Sequence, residues 1–194
     1  MASIFENLPE KIISPSKLAH VVLRTHNFAK MVQFYENFLG ARVIYSNDHL
    51  AFLTYDEEHH RLALLGIPGT KVKDPTTAGL EHIAFTFDTL SDLLVAYLQR
   101  KGKGINPFWP VNHGPTTSIY YKDPDGNMIE TQVDNYEDAD EATDFMNSKD
   151  FSENPIGVDF DPEDHITKLV SGQSTEAELK KRVEIGPRGI PDWA

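Results

Sequence analysis

The sequence predicts an α+β protein made of two copies of one strand–helix–strand–strand–strand module, followed by a C-terminal extension of loops and helices. Two observations support this fold class. An apolar stretch with a histidine, an amphipathic helix and a glycine occurs twice, and each histidine lies twenty residues before its glycine: His20 and Gly40, then His82 and Gly102. Repetition at a fixed spacing is typical of a duplicated structural unit, so we expect two βαβββ modules.

The first module covers residues 15–68. The apolar run KLAHVVLRT suits a buried strand, and Asn27 after it is a favourable helix N-cap. The helix is indicated by an i, i+3, i+4 stripe of apolar residues, and Gly40 follows where a left-handed C-cap belongs. That stripe consists of Phe28, Met31, Val32, Tyr35 and Leu39, and three further strands are predicted in ARVIYSN, LAFLTYD and HRLALLGI.

The second module covers residues 79–135 and repeats this order. LEHIAFTF is the first strand, Asp88 or Thr89 caps the helix, and Gly102 ends it. The remaining strands are INPFWPVN, TSIYYKD and NMIETQV, and the last two are joined by a tight turn at Asp123-Pro124-Asp125-Gly126. The modules are separated by a polar linker, PGTKVKDPTTAG.

Residues 1–14 form an N-terminal arm, and residues 136–194 form an acidic C-terminal extension. In the extension we predict a helix from Pro162 to Val170, then a short helix with a capping box at Thr175 and Glu178. The extension is too small and polar to form its own core, so it should pack on the modules or on a second subunit. We expect a homodimer or a higher homo-oligomer.

Composition limits the partners. The net charge of −12 argues against binding to nucleic acid, although the excess is local: twelve acidic residues and one base lie between Asp134 and Asp164. No apolar run is long enough for a membrane span, and the N-terminus lacks the pattern of a secretory signal. The absence of cysteine excludes disulfides and thiolate metal sites and fits a cytoplasmic location.

Three residues suggest a metal site. His20 and His82 occupy equivalent positions of the two modules, and Glu130 lies in a strand where apolar residues are expected. If the two modules pair and enclose a cleft, their first strands face each other and bring the histidines together. Two histidines and one carboxylate form a facial triad with open coordination positions. The alternatives are two buried core histidines and a glutamate that faces solvent.

The motifs around these residues resemble the vicinal-oxygen-chelate superfamily, and most closely its one-domain type I extradiol dioxygenases. The matching stretches are LAHVVL, LEHIAF, the paired histidines before RLALLGIP, and SIYYKDPDGNMIE, which spans Tyr120 to Glu130. The resemblance covers roughly residues 15–135. It implies two modules paired around a metal-binding cleft, with His20, His82 and Glu130 as ligands of Fe(II), for which Mn(II) is an alternative.

The resemblance also implies a reaction: cleavage of the aromatic ring of a catechol-type substrate, such as biphenyl-2,3-diol, with O₂. His60 would be the acid/base residue, and Tyr120 would hydrogen-bond a substrate oxygen. His113 precedes the tyrosine as a similar histidine does in catechol 2,3-dioxygenases, and an ordinary turn residue is the alternative.

Two other functions stay open, because one scaffold can host several activities. The first is a different metal-dependent enzyme of the superfamily, such as a glyoxalase-like isomerase or lyase. Overlaying the modules puts Ala63 opposite Glu130, where those isomerases place a fourth ligand, and alanine cannot bind a metal. The second is a non-catalytic small-molecule binding protein, although the presence of all three predicted ligands argues against it.

Overall fold

The computed structural model describes residues 8–191, so residues 1–7 of the predicted arm and 192–194 of the extension lie outside it. The first module contains strand β1 (Val21–Arg24), helix α1 (Phe28–Leu39) and strands β2 (Arg42–Ser46), β3 (Leu50–Thr54) and β4 (Leu62–Leu65). Its sheet has the order β1-β4-β3-β2, and β1 runs parallel to β4. His20 lies immediately before β1.

The second module repeats the arrangement with β5 (His82–Phe87), α2 (Leu90–Gly102), β6 (Trp109–Asn112), β7 (Thr116–Lys122) and β8 (Met128–Asp134). Its sheet has the order β5-β8-β7-β6-β9, in which the short strand β9 (Val158–Asp159) comes from the C-terminal extension. The predicted α+β class with two βαβββ modules is therefore confirmed.

Strand register makes the first and last strands of the two modules equivalent around the predicted ligands. In the first sheet Val22 pairs with Ala63, and in the second Ala84 pairs with Glu130. His20 and His82 each precede the pairing residue of their strand by two positions, so both histidines stand in the same relation to β4 or β8. Ala63 is the structural counterpart of Glu130, as the sequence overlay predicted.

The ends of the helices follow local chemistry, with one exception. Gly40 ends α1 with φ 63°, which is the left-handed conformation that glycine adopts at low cost. The Thr89 side chain accepts a hydrogen bond from the amide of Asp92 and caps α2. Asn27 makes no side-chain cap and instead donates to Asp125 Oδ1 at 2.9 Å, so it links α1 to the turn before β8.

Both sheets place one face on a common core with α1 and α2. Along β1 and β5, residues that point into this core alternate with residues that point away from it: Val21 and Leu23 pack inward, as do Ile83, Phe85 and Phe87. Because side chains alternate across a strand, His20 and His82 belong to the opposite faces. The predicted ligands therefore lie on the faces that the helices do not cover.

The extension contains helices α3 (Ala139–Met146), α4 (Lys149–Glu153), α5 (Pro162–Val170) and α6 (Glu176–Leu179). The bounds of α5 and the capping box of α6 match the prediction. The first part of the extension, where no helix was predicted, contains two helices capped by Asp138 and Ser148. The extension packs on the modules through Phe160, Ile166, Leu169 and Leu179. Among residues 8–191, no helix is long and apolar enough to cross a membrane.

Candidate metal centre and active site

His82 and Glu130 form a close pair on the face of the second sheet that points away from the helix-packed core. Parallel pairing of β5 with β8 puts them near one another, and His82 Nε2 lies 3.1 Å from Glu130 Oε2. Glu130 is 5% exposed, so its carboxylate is a buried charge that requires partners. Burial raises the pKa of Glu130, but the hydrogen bonds from His82 and Ser118 outweigh burial and lower it. The hydrogen bond to Glu130 raises the pKa of His82.

Tyr120 and His113 lie beside this pair. Tyr120 pairs with Glu130 across β7 and β8, its ring is edge-on to His82 at 5.6 Å, and its hydroxyl is 3.0 Å from His113 Nε2. Burial, and then the charge of Glu130, raise the pKa of Tyr120. Burial lowers the pKa of His113 below its usual range. Four of the six predicted site residues are thus brought together on one face.

Two further residues of this face were not predicted as functional. Ser118 lies beside Glu130 and lowers the pKa of its carboxyl, and Trp109 stacks on Tyr120 with ring centroids 4.9 Å apart. The signal for Ser118 was present in the sequence: it lies two residues before Tyr120 in β7, so a strand period of two puts both on one face. Trp109 also forms a small buried cluster with Val111 and Tyr120.

His20 and His60 lie together on the uncovered face of the first sheet. Their ring centroids are 4.4 Å apart, and Phe52 and then Tyr45 continue the row of rings across the sheet. Burial lowers the pKa of His60, and the adjacent His20 and His59 lower it further. His20 is exposed and His60 is partly buried. The predicted acid/base residue therefore accompanies the first predicted ligand.

The donors of the second sheet fit a metal in part. An imidazole nitrogen beside a buried carboxylate oxygen is a suitable pair of ligands for a divalent transition metal. Within residues 8–191, however, no three His, Asp or Glu side chains are grouped so that they could hold an ion. His20 therefore does not join His82 and Glu130 in one group within a single chain, and the three-residue ligand set remains a prediction.

The fold consists of two βαβββ modules, and one of its sheets carries a histidine beside a carboxylate. This combination is typical of a class of small metal-dependent enzymes and binding proteins. The chain belongs to the Glyoxalase/Bleomycin resistance protein/Dioxygenase superfamily, whose family model matches residues 17–131. The superfamily resemblance read from the sequence motifs is confirmed.

Relatives within this superfamily have different activities. The chain is 52% identical over 147 residues to biphenyl-2,3-diol 1,2-dioxygenase 2 of Rhodococcus globerulus, which covers 75% of this chain and 77% of the relative. It is 30% identical to a lactoylglutathione lyase of Neisseria meningitidis, over 59% of this chain and 88% of that protein. A crystal structure of lactoylglutathione lyase from Agrobacterium tumefaciens has the same fold, with a TM-score of 0.51 at 18% identity, covering 61% of this chain and 94% of that one.

Proposed function

We propose that this chain is an extradiol dioxygenase that opens the aromatic ring of a catechol-type substrate, such as biphenyl-2,3-diol, with O₂. The observation that carries the proposal is the cluster of His82, Glu130, Tyr120 and His113 in a chain that is 52% identical to a biphenyl-2,3-diol 1,2-dioxygenase. Fe(II) is the proposed metal, with Mn(II) as the alternative, and the absence of cysteine fits action in the cytoplasm.

In this proposal His20, His82 and Glu130 bind the metal. The metal, when bound, would hold the two diol oxygens and O₂ on adjacent positions, so that both substrates meet at one centre. Tyr120 is buried between Trp109 and His113, and in this proposal its hydroxyl would hydrogen-bond a substrate oxygen. His60 takes a proton from the diol and returns one later, because imidazole can do both near neutral pH.

A second copy of the chain would complete the site. His20 and His60 lie on one uncovered sheet face, whereas His82, Glu130 and Tyr120 lie on the other. The first face also exposes apolar side chains, including Val22, Ile44 and Tyr45, each about half exposed. A homodimer that packs the first sheet of one copy on the second sheet of its partner would cover these side chains and bring the three ligands together.

Mixed dimers test the shared site without an activity assay. His20→Ala chains and Glu130→Ala chains carry different tags and are co-expressed, and the mixed dimer is purified through both tags. With a shared site, one ligand set in the mixed dimer is intact, so it binds about half the iron of the wild-type dimer. With a site inside one chain, both sets are broken and iron is lost.

The reciprocal control is a mixed dimer of the wild-type chain with the His20→Ala, Glu130→Ala double variant. If the site is shared, each metal takes ligands from both chains, so both ligand sets in this dimer include an altered residue. If each chain has its own site, the wild-type chain keeps an intact set. Iron in the control and none in the first mixed dimer, or a monomeric wild-type protein, would overturn the shared site.

Catalysis is tested by anaerobic reconstitution with Fe(II), followed by a panel of catechols that includes biphenyl-2,3-diol. We expect diol-dependent O₂ uptake and a yellow ring-fission product, and we expect neither from His82→Ala or Glu130→Ala. Isomerase activity that depends on nickel or zinc would instead support the glyoxalase-like alternative. A fully iron-loaded protein that turns over no catechol would support the binding protein.

A further inference from the structure

The His113 ring is held at both nitrogens. Nδ1 is 2.5 Å from the carbonyl oxygen of Ile156, and Nε2 is 3.0 Å from the hydroxyl of Tyr120. A carbonyl oxygen can only accept a hydrogen bond, so Nδ1 must carry the proton. In a neutral imidazole Nε2 is then the acceptor, and the Tyr120 hydroxyl must donate to it. The tautomer of His113 is therefore set by a backbone atom of the C-terminal extension.

This tautomer has a consequence for Tyr120. Because its single hydroxyl hydrogen is donated to His113, Tyr120 cannot also donate to the nearby Glu130, and its oxygen lone pairs are left to accept a hydrogen bond from a hydroxyl group on the side of His82 and Glu130. With the other tautomer, Nε2–H would donate to the tyrosine and turn its hydrogen elsewhere. The donor and acceptor roles on the site face thus depend on where the Ile156 carbonyl lies.

Arg182 joins the two main-chain segments that meet at this hydrogen bond. Its side chain is 2% exposed, and its Nη1 donates to the carbonyl of His113 at 3.0 Å and to the carbonyl of Asn154 at 2.8 Å. One guanidinium therefore ties the main chain at His113 to the main chain two residues before Ile156. Its charge is balanced by two hydrogen bonds to Glu184, both 2.8 Å, and it lies over the Phe145 ring at 5.0 Å.

The segment around Ile156 is also fixed from within. Asn154 is fully buried, and its side chain accepts from the amide of Gly157 at 2.9 Å and donates to its carbonyl at 3.1 Å. Strand β9 then pairs with β6 at Asn112 and Val111. The carbonyl of Ile156 therefore belongs to a segment, residues 154–159, that is fixed by hydrogen bonds.

We propose that the C-terminal extension is part of the active site: Arg182 is a positioning residue that fixes the tautomer of His113 through the Ile156 carbonyl, and so sets Tyr120 to accept a hydrogen bond from the diol. The hydrogen bond between Tyr120 and the diol rests on the proposed function, whereas the tautomer of His113 does not depend on it. Removing Arg182 should leave His113 and Tyr120 present but the ring free to take either tautomer.

The tautomer is measured by NMR on the full chain, labelled with ¹⁵N at histidine, before iron is added. The signals of His113 are assigned by their loss in His113→Asn. In the wild type we expect the proton on Nδ1, and in Arg182→Met a population with the proton on Nε2. Lys101→Met is the matched control, because it also removes an ion pair between the extension and a module, but its partners are Glu163 and the Tyr97 ring and not the His113 loop.

In the iron-loaded enzyme, Arg182→Met should lower kcat for the diol by about 10–100-fold, the usual effect of losing a residue that orients a site group, with a smaller change in KM. Arg182→Lys should restore part of the loss, and Lys101→Met should leave kcat unchanged. Wild-type His113 protonated on Nε2, or a folded Arg182→Met protein with unchanged tautomer and kcat, overturns the proposal. If Arg182→Met does not fold, Gly157→Ala displaces the same carbonyl and should give the same mixture of tautomers. An unchanged tautomer in a folded Gly157→Ala protein then overturns the proposal. A correct tautomer without diol turnover refutes the proposed function only.

Discussion

Gly157 is the position where the extension and the His113 loop approach most closely, and Gly157→Ala should separate them. A Cβ added there would lie 2.3 Å from the carbonyl oxygen of Asn112 and 2.8 Å from Cα of His113. Both are main-chain atoms that cannot rotate away. The residue also has φ 108°, outside the usual range of side-chain-bearing residues.

The expected loss of stability in Gly157→Ala is the sum of two free-energy costs. An L-residue in the left-handed half of the map costs about 1–2 kcal/mol, and overpacking against a rigid neighbour costs about 1–3 kcal/mol more. The matched control is Gly172→Ala, because Gly172 has φ 69° but nothing within 4 Å of the added Cβ. It carries only the first cost. We therefore expect Gly157→Ala to be less stable than Gly172→Ala by about 1–3 kcal/mol.

Urea unfolding followed by circular dichroism gives both free energies, and similar m-values would show that the difference is one of stability. In a thermal scan the difference corresponds to about 2–4 °C per kcal/mol for a chain of this size. If the free energies of unfolding of Gly157→Ala and Gly172→Ala agree within about 0.5 kcal/mol, the close approach does not exist. The fixed segment around Ile156 is then refuted as well.

Two further predictions concern single side chains. His60→Phe should keep the iron content while slowing turnover by about 10²–10⁴-fold, the usual worth of acid–base help, and loss of iron in this variant would instead make His60 a ligand. Tyr35→Phe removes a buried hydroxyl that donates to Asp123 Oδ2 at 3.0 Å. Because Asn127 continues to donate to that carboxylate, we expect a loss of only about 1–2 kcal/mol in the free energy of unfolding, and no measurable loss would show that the contact between modules is weak.

Local patterns in the sequence determined much of this fold. The helix stripes, Gly40 and the capping box of Thr175 depend on neighbours a few residues away, and all three were confirmed. The equivalence of Ala63 and Glu130 could be read from the repeat because strand register preserves spacing along the chain. Helices α3 and α4 were missed because they are short and acidic and bury no side chain. Their only signals were the caps, Asp138 and Ser148.

The relative placement of the modules was decided only by the tertiary structure. Sequence periodicity shows that His20 and His82 point away from the core of their own sheets, but it says nothing about whether two such faces meet. The structure puts both sheets on one shared core and leaves the faces that carry the two histidines outside that core. The contact between His113 and Ile156 was equally hidden, because its acceptor is a main-chain carbonyl, which every residue carries. Sequence thus identified the chemical groups of the site, whereas long-range packing decided which of them one chain can bring together.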